Sequence, residues 1–284
     1  MPRKSAKTHP SIEALSRVRA ELESLIQAAN EKKLSATVRN ELDAAVRGLV
    51  DQIGGFLRDL DPIKQPSAVF DPSDPAVVGR FVAMAMISQP RVPLPAATDN
   101  RFYGSGIYAL YYMGDHESYA PISSSETPIY VGKADPATDA ARTPREQGDK
   151  LISRLREHLR SIKKAVTTLS PEEFEYRCLV VQSGWQGAAE AYLISLFSPV
   201  WNNETKICFG IGKHGDKAST RSNLRSPWDT MHPGRGWAHG DVPISDAKSI
   251  ERIRSELDDH FRTEKVYYDV DEILREFLEQ LRQI

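Results

Sequence analysis

The sequence has few cysteines and no long apolar run. Only Cys178 and Cys208 occur in 284 residues, too few for a secreted scaffold held by disulfides, so both are predicted to be free thiols in a reducing compartment. The longest apolar runs, such as residues 81–87, fall far short of the roughly 18 residues that cross a bilayer. The basic N-terminus lacks the apolar stretch of a secretory signal. Together these features predict a cytoplasmic protein without a membrane span.

The sequence also lacks a net positive charge, which proteins that bind nucleic-acid phosphates usually carry. The formal charge is −2 and the pI is about 6.4. Two segments differ from this average, because residues 142–164 contain eight bases against three acids and residues 206–239 contain six against two. Either segment alone is equally well explained as a solvated surface. Charge by itself therefore leaves the binding partner open.

The N-terminal part has apolar residues at helical spacing over residues 11–31 and 35–60. This pattern predicts two amphipathic helices, which would pack as a hairpin against the rest of the chain or against a second copy. Four prolines within residues 59–75 indicate a linker, and a further helix is predicted near residues 76–88. We predict an N-terminal helical extension over residues 1–66.

The segments after this linker and helix are short and are predicted to be a mixture of strands and helices. Strands are predicted at 106–112, 128–133 and 174–182, and helices at 147–164 and 187–197. This order predicts an α+β fold with a small central, mainly antiparallel β-sheet of about three strands flanked by helices. Residues 202–241 are predicted to be long loops, and residues 246–284 to be helical and acidic. We therefore predict a central domain over 67–240 and a C-terminal helical extension over 241–284.

Several residues in these elements are of types that often serve in active sites, although each also has an ordinary structural explanation. Tyr108 and Tyr130 occupy neighbouring strands, where tyrosines usually serve packing. Arg154 and His158 are four residues apart on one helix face and could be a plain exposed pair. Glu190 is predicted in the first turn of its helix, where an acid complements the helix dipole.

The two strands contain Gly106-Ile107-Tyr108 and Tyr130-Val131-Gly132, which resemble the signature of the GIY-YIG nuclease superfamily, with Val for Ile in the second. The other hallmarks of that superfamily follow in order on the expected elements. They are Arg154, His158, Glu190 and Asn202. One tripeptide is a weak signal, but six positions in the correct order form a strong one.

A narrower resemblance covers roughly residues 67–240. The segments VFDPSDP, FYGSGIYALYY, PIYVGKADP, AEAYLISLFSPVWNNE, GIGKHG and NLRSPWDTMHPGR are similar to a branch of type II restriction endonucleases that recognise the palindrome CCGCGG. The resemblance implies site-specific hydrolysis of phosphodiester bonds in double-stranded DNA, without an organic cofactor.

The resemblance also implies roles for the site residues. Glu190 would hold one Mg²⁺ per active site, with Mn²⁺ as a possible substitute. Tyr108 would take a proton from the attacking water, helped by the positive charge of Lys133. Arg154 would bind a non-bridging phosphate oxygen. His158 and Tyr130 would position the water or Tyr108, and Asn202 would orient Glu190 or the phosphate.

A palindrome is cut on both strands most simply by a twofold pair, so a homodimer on DNA is expected. Reading G·C pairs calls for basic side chains on guanine and acids on cytosine, and Asp229 is the acid among the loop candidates. The candidate DNA-binding residues are Lys213, His214, Arg221, Asn223, Arg225 and Arg235. Each is equally well explained as a phosphate contact or a turn residue.

Three alternatives remain beside this reading. A homing or repair nuclease of the same superfamily usually carries an additional DNA-binding module, which the acidic C-terminal segment does not resemble. A non-catalytic DNA-binding protein would have no need of all six active-site residue types. A metal-binding module would use Cys208, His214, His232 and His239, whose spacing matches no tight zinc pattern.

Overall fold

The computed structural model describes residues 9–31, 35–60, 63, 70–212, 224–238 and 244–281. The chain forms two compact units, Met1–Val69 and Phe70–Ile284. None of the described helices is both long and apolar enough to cross a membrane. The predicted division into three parts stays a prediction.

The first unit contains the two predicted helices, α1 (Pro10–Glu31) and α2 (Ala36–Leu60). Their apolar side chains are largely exposed, including Leu22 and Leu25 on α1 and Ile53 on α2. Residues 32–34, where the predicted turn falls, lie outside the described residues. The hairpin packing of the two helices therefore stays a prediction.

The second unit is built from short elements in mixed order. Its helices are α3 (Pro75–Ile87), α4 (Pro144–Gln147), α5 (Lys150–Lys164), α6 (Gln186–Phe197), α7 (Pro227–Met231), α8 (Ile250–Thr263) and α9 (Val270–Leu281). Its strands are β1 (Val92–Pro93), β2 (Gly106–Tyr112), β3 (Tyr130–Ala134), β4 (Phe174–Val180), β5 (Leu224–Arg225) and β6 (Ser245–Asp246).

The central sheet has the order β1-β4-β2-β3, and every pair is antiparallel. The predicted α+β class is confirmed. The sheet has four strands rather than three, because β1 adds a two-residue strand that is too short to show an alternating pattern. Strand β3 forms one edge of the sheet.

Both faces of β2 are covered, so all seven of its residues are buried. Tyr108 and Leu110 share a core with the apolar residues of α5, and Ile107 and Ala109 face a second core built by α3 and α6. This division follows from the alternation of side chains along a strand. The predicted stripe on α5 is buried at Leu151, Leu155, Leu159 and Ile162.

The C-terminal residues complete these cores. Ile253 and Leu257 of α8 join the core beside α5, and Ile273 and Phe277 of α9 join the core beside α6. The segment predicted as one helical run is broken between residues 263 and 270. Between residues 202 and 241, predicted as loops alone, the structure adds β5 and α7.

Candidate active site

A cavity of about 290 Å³ opens beside the edge strand β3. It is lined by Tyr108, Tyr130, Lys133, Asp135, Arg154, His158, Glu190, Trp201, Asn203, Gly210 and Gly212. Six of the seven predicted catalytic residues are in this lining, and Asn202 is the exception. Residues from β2, β3, α5 and α6 thus meet in one place.

Tyr108 and His158 form the innermost pair of the site. The Tyr108 hydroxyl lies 2.7 Å from His158 Nε2, and both residues are 2% exposed. The plain explanation of His158 as half of an exposed pair is therefore wrong. Burial raises the pKa of Tyr108 well above its usual value, and the neighbouring Tyr130 raises it further.

Tyr130 approaches Tyr108 diagonally across the ladder, because Tyr108 pairs with Gly132 and Tyr130 pairs with Leu110. The ring centroids of the two tyrosines are 6.1 Å apart, and those of Tyr130 and His158 are 4.8 Å apart. A Cβ atom on Gly132 would lie 2.6 Å from the Tyr108 hydroxyl oxygen. The glycine of the second tripeptide therefore makes room for the first tyrosine.

Arg154 sits one helical turn before His158 at the open side of the cavity. Its side chain is 50% exposed, and Nη1 donates a hydrogen bond to Glu157 Oε2 at 2.7 Å. A guanidinium has five N–H donors, so this bond leaves others for a ligand. The positive charge of Arg154 lowers the pKa of Tyr108, against the larger effect of burial.

Glu190 is the fifth residue of α6 and lies in its second turn. The predicted first-turn placement is therefore wrong, and dipole complementarity explains the residue poorly. Burial raises the pKa of Glu190 to about 7, and the positive charge of Lys133 opposes the rise. This carboxyl group is partly desolvated and poised to bind a proton or a cation.

Lys133 acts on Glu190 rather than on Tyr108, which corrects the predicted role. It pairs with Ile107, one residue from Tyr108, so its side chain leaves β3 on the face opposite the Tyr108 ring. Its Nζ lies 3.2 Å from Asp135 Oδ1. The cation that favours ionisation of Tyr108 is Arg154.

Asn202 holds the backbone of β3. Its Oδ1 accepts a hydrogen bond from Val131 N at 2.9 Å, and its Nδ2 donates one to Val131 O at 2.8 Å. The predicted role of Asn202, to orient Glu190 or the phosphate, is therefore wrong, because its amide is buried and both ends bond to the backbone of Val131. Asn202 fixes the strand between Tyr130 and Gly132 instead.

The sequence matches the model of a known protein family. A family model described as the Eco29kI GIY-YIG domain matches residues 100–261, which is more than half of the chain. The chain belongs to this family. It is accordingly a GIY-YIG nuclease, an enzyme that cleaves DNA. No curated protein matches the sequence.

The predicted DNA-binding residues of the nuclease have mixed outcomes. Lys213, His214, Arg221 and Asn223 lie outside the described residues. Arg225 donates from Nη1 to Asp246 Oδ1 at 2.8 Å and from Nε to the Ala238 carbonyl at 3.0 Å. Its guanidinium is therefore anchored within the protein.

Arg235 is a structural residue, which corrects its predicted role in binding DNA. It is 2% exposed, and two of its nitrogens donate to the carboxylate of the buried Asp229, each at 2.6 Å. It also donates to the carbonyls of Gly210 and Ile211. Because Gly210 lines the cavity, the buried pair holds part of the cavity wall in place.

The metal-binding alternative finds no support in the described part of the nuclease. Cys208 and His232 are fully buried, and each contacts the Tyr119 hydroxyl. His214 and His239 lie outside the described residues, and the described ones contain no cluster of three His, Cys, Asp or Glu side chains suited to a metal. Five lining residues were not predicted, namely Asp135, Trp201, Asn203, Gly210 and Gly212. Asp135 directly follows β3, which was the signal that could have identified it.

Proposed function

We propose that this GIY-YIG nuclease is a type II restriction endonuclease that cuts double-stranded DNA at a palindrome, CCGCGG, with one Mg²⁺ in each active site. One observation carries the proposal: a phenol held 2.7 Å from an imidazole in a cavity that also contains Arg154 and Glu190. The resemblance over residues 67–240 supports the recognition sequence.

Glu190 is the residue that would hold the metal. Mg²⁺ commonly binds through one or two carboxylates, several waters and substrate phosphates, which fits Glu190 in a polar cavity whose other acid, Asp135, is paired with Lys133. Burial disfavours the charge on Glu190, and a bound cation would restore it. When bound, Mg²⁺ or Mn²⁺ would neutralise charge on the phosphoryl oxygens and on the departing 3′ oxygen.

Arg154 is suited to the phosphate itself. Its planar fork can give two parallel hydrogen bonds to phosphate oxygens, and its position at the open side of the cavity leaves it half exposed. We assign it to a non-bridging oxygen of the scissile phosphate, where it would orient the phosphorus for attack by water.

Tyr108 and His158 supply the path for the proton of the attacking water. As the water oxygen forms its bond to phosphorus and the bond from phosphorus to the 3′ oxygen breaks, the water proton moves to the Tyr108 oxygen. The phenol proton moves to His158 Nε2 over the 2.7 Å hydrogen bond. This transfer requires the tautomer whose Nε2 accepts. It avoids a free phenolate, whose formation burial opposes.

The palindrome requires two cuts related by a twofold axis, so we infer a homodimer on DNA, each copy reading one half-site. The alternative is a homing or repair nuclease of the same superfamily, which differs in the sequence that it cuts.

The test is digestion of a plasmid that contains one CCGCGG site, with Mg²⁺, followed by sequencing of the ends. A single pair of ends within CCGCGG supports the proposal, and scattered ends or a long asymmetric site favour the homing or repair type.

Glu190→Ala should bind the site without cutting it. The exposed Glu279→Ala on α9 is the matched control, and it should cut normally.

A further inference from the structure

Helix α2 carries an apolar stripe that stays largely exposed within the described residues of the N-terminal unit. Leu42, Val46, Leu49, Ile53, Phe56 and Leu60 follow one another at alternating spacings of four and three residues. Val46 and Leu49 are 37% and 38% exposed, and Phe56 and Leu60 reach 58% and 60%. This spacing is the a/d repeat of helices that pack along each other in a coiled coil.

The residue types in this repeat favour self-pairing. Val46 and Ile53 occupy two of the three a positions, with Leu60 at the third, and Leu42 and Leu49 occupy two of the three d positions, with Phe56 at the third. β-Branched residues at a with leucine at d favour two parallel strands. In a parallel pair each a residue meets its own copy, so the repeat is complementary to itself.

The charges of α2 are arranged to permit that pairing. Between residues 44 and 57 the only charged side chains are Arg47 and Asp51, at the outer b and f positions. The flanking e and g positions carry Ala45, Val50, Gln52 and Leu57. At the two ends of the stripe stand Asp43 (e) and Asp59 (g), which do not face each other in a parallel pair. A second copy would therefore bring no like charges together across the contact.

The glycines of α2 also favour pairing with a second copy. Gly48, Gly54 and Gly55 occupy outer positions of the repeat and weaken an isolated helix. Helices in water depend mostly on burial of an apolar face. We propose that α2 pairs in parallel with α2 of a second copy, which makes the N-terminal unit a dimerisation module that acts without DNA.

The first experiment measures the mass of the full chain in solution without DNA, by analytical ultracentrifugation over a range of concentrations. The wild type should be a dimer, and Leu49→Lys, which places a charge at a d position, should raise the dimer dissociation constant by about 100-fold or more. Gly48→Lys adds the same charge one residue away, where an added Cβ meets nothing within 4 Å. It should remain dimeric.

The second experiment tests the register in a chain with an otherwise intact stripe. Ile53→Cys should form a disulfide-linked dimer under mild oxidation, because a parallel pair places this position opposite itself. Asp51→Cys, at an outer position, should not cross-link beyond the wild-type level set by Cys178. Absence of the Ile53→Cys cross-link would overturn the parallel pairing.

These results separate the dimerisation proposal from the proposed function. A wild-type monomer without DNA overturns the dimerisation module even if the plasmid is cut within CCGCGG. A dimer that Leu49→Lys leaves intact also overturns it, because another surface must then hold the copies together. A dimer lost in Leu49→Lys, in an enzyme that cuts elsewhere, supports the module and rejects the recognition sequence.

Discussion

Two buried tyrosine–histidine pairs in the described residues have the same hydrogen-bond length and different surroundings. Tyr108 and His158 are joined at 2.7 Å, and so are Tyr119 and His232. Burial raises the pKa of both tyrosines well above the usual value. The pair geometry alone therefore does not distinguish a catalytic site from a core.

The surroundings make the distinction. The first pair lines a cavity shared with Arg154 and Glu190, whereas the second is fully buried in the core. Tyr119 accepts a hydrogen bond from Trp201 Nε1 at 3.0 Å and lies 3.4 Å from Cys208 Sγ, and His232 Nδ1 lies 3.0 Å from Thr168 Oγ1. Proton transfer needs access and nearby charge, and only the first pair has both.

The largest expected effect is loss of cleavage in Tyr108→Phe. Removing the hydroxyl breaks the path from water to His158 and should slow single-turnover cleavage on the order of 10³-fold, within the range for a positioned acid or base. The free energy of unfolding should fall by only about 1 kcal/mol, because one buried hydrogen bond is lost and the ring stays packed. Cleavage within about tenfold of the wild-type rate would mean that another group takes the proton.

The next effect concerns the closed region around the second pair, where Arg235 lies over the Trp228 ring. Arg235→Met leaves the carboxylate of Asp229 buried without its partner, which should lower the free energy of unfolding by about 3 kcal/mol or more. Urea denaturation measures this loss. Arg225→Met is the comparison, since its partner Asp246 is 38% exposed and the expected loss is about 1 kcal/mol or less. A stable Arg235→Met protein that no longer selects its site would restore the predicted role in reading DNA.

Tyr119→Phe is the counterpart of Tyr108→Phe. It removes the acceptor of the Trp201 indole N–H and the partner of His232, so the free energy of unfolding should fall by about 1–2 kcal/mol. Cleavage of the folded protein should stay at the wild-type rate. A catalytic loss with unchanged stability would show that the closed pair takes part in the reaction after all.

Much of this organisation could be predicted from the sequence, because the spacing of apolar residues and the order of the secondary-structure elements can be read directly from it. The stripe on α5 fixed which face is buried, and the two tripeptides placed Tyr108 and Tyr130 on adjacent strands. The face of Lys133 was also predictable in principle. It is three residues from Tyr130, so strand alternation puts their side chains on opposite faces, and the proposed help to Tyr108 ignored this.

Other features depend on partners that no local pattern identifies. Asn202 binds the backbone of Val131, 71 residues away, and a polar residue after a helix gives no sign of such a partner. Arg235 lies in a glycine-rich segment with other bases, where a buried arginine resembles a DNA-binding one. The feature that could have indicated a buried ion pair was Asp229, an acid close by in the same segment. It had been considered for base reading instead.

The smallest expected effect is a pH dependence of the free energy of unfolding, caused by Glu190 in the open cavity. The pKa of Glu190 is raised to about 7 in the folded protein, above that of a free carboxyl group at about 4.3. Between these values the folded state binds more protons than the unfolded state, so the wild type loses stability as pH rises through that window.

Glu190→Gln lacks this ionisation and should be more stable than the wild type by about 1 kcal/mol near pH 8 without metal, a modest figure because Glu190 is partly solvated. The advantage should shrink as the pH falls through the window and vanish below about pH 4, where both states of the wild type are protonated. Urea denaturation in a metal chelator at about pH 8 and about pH 5 measures the difference. An advantage that is equal at the two pH values would mean that the Glu190 carboxylate is not desolvated, and the poised acid at the cavity would lose its physical basis.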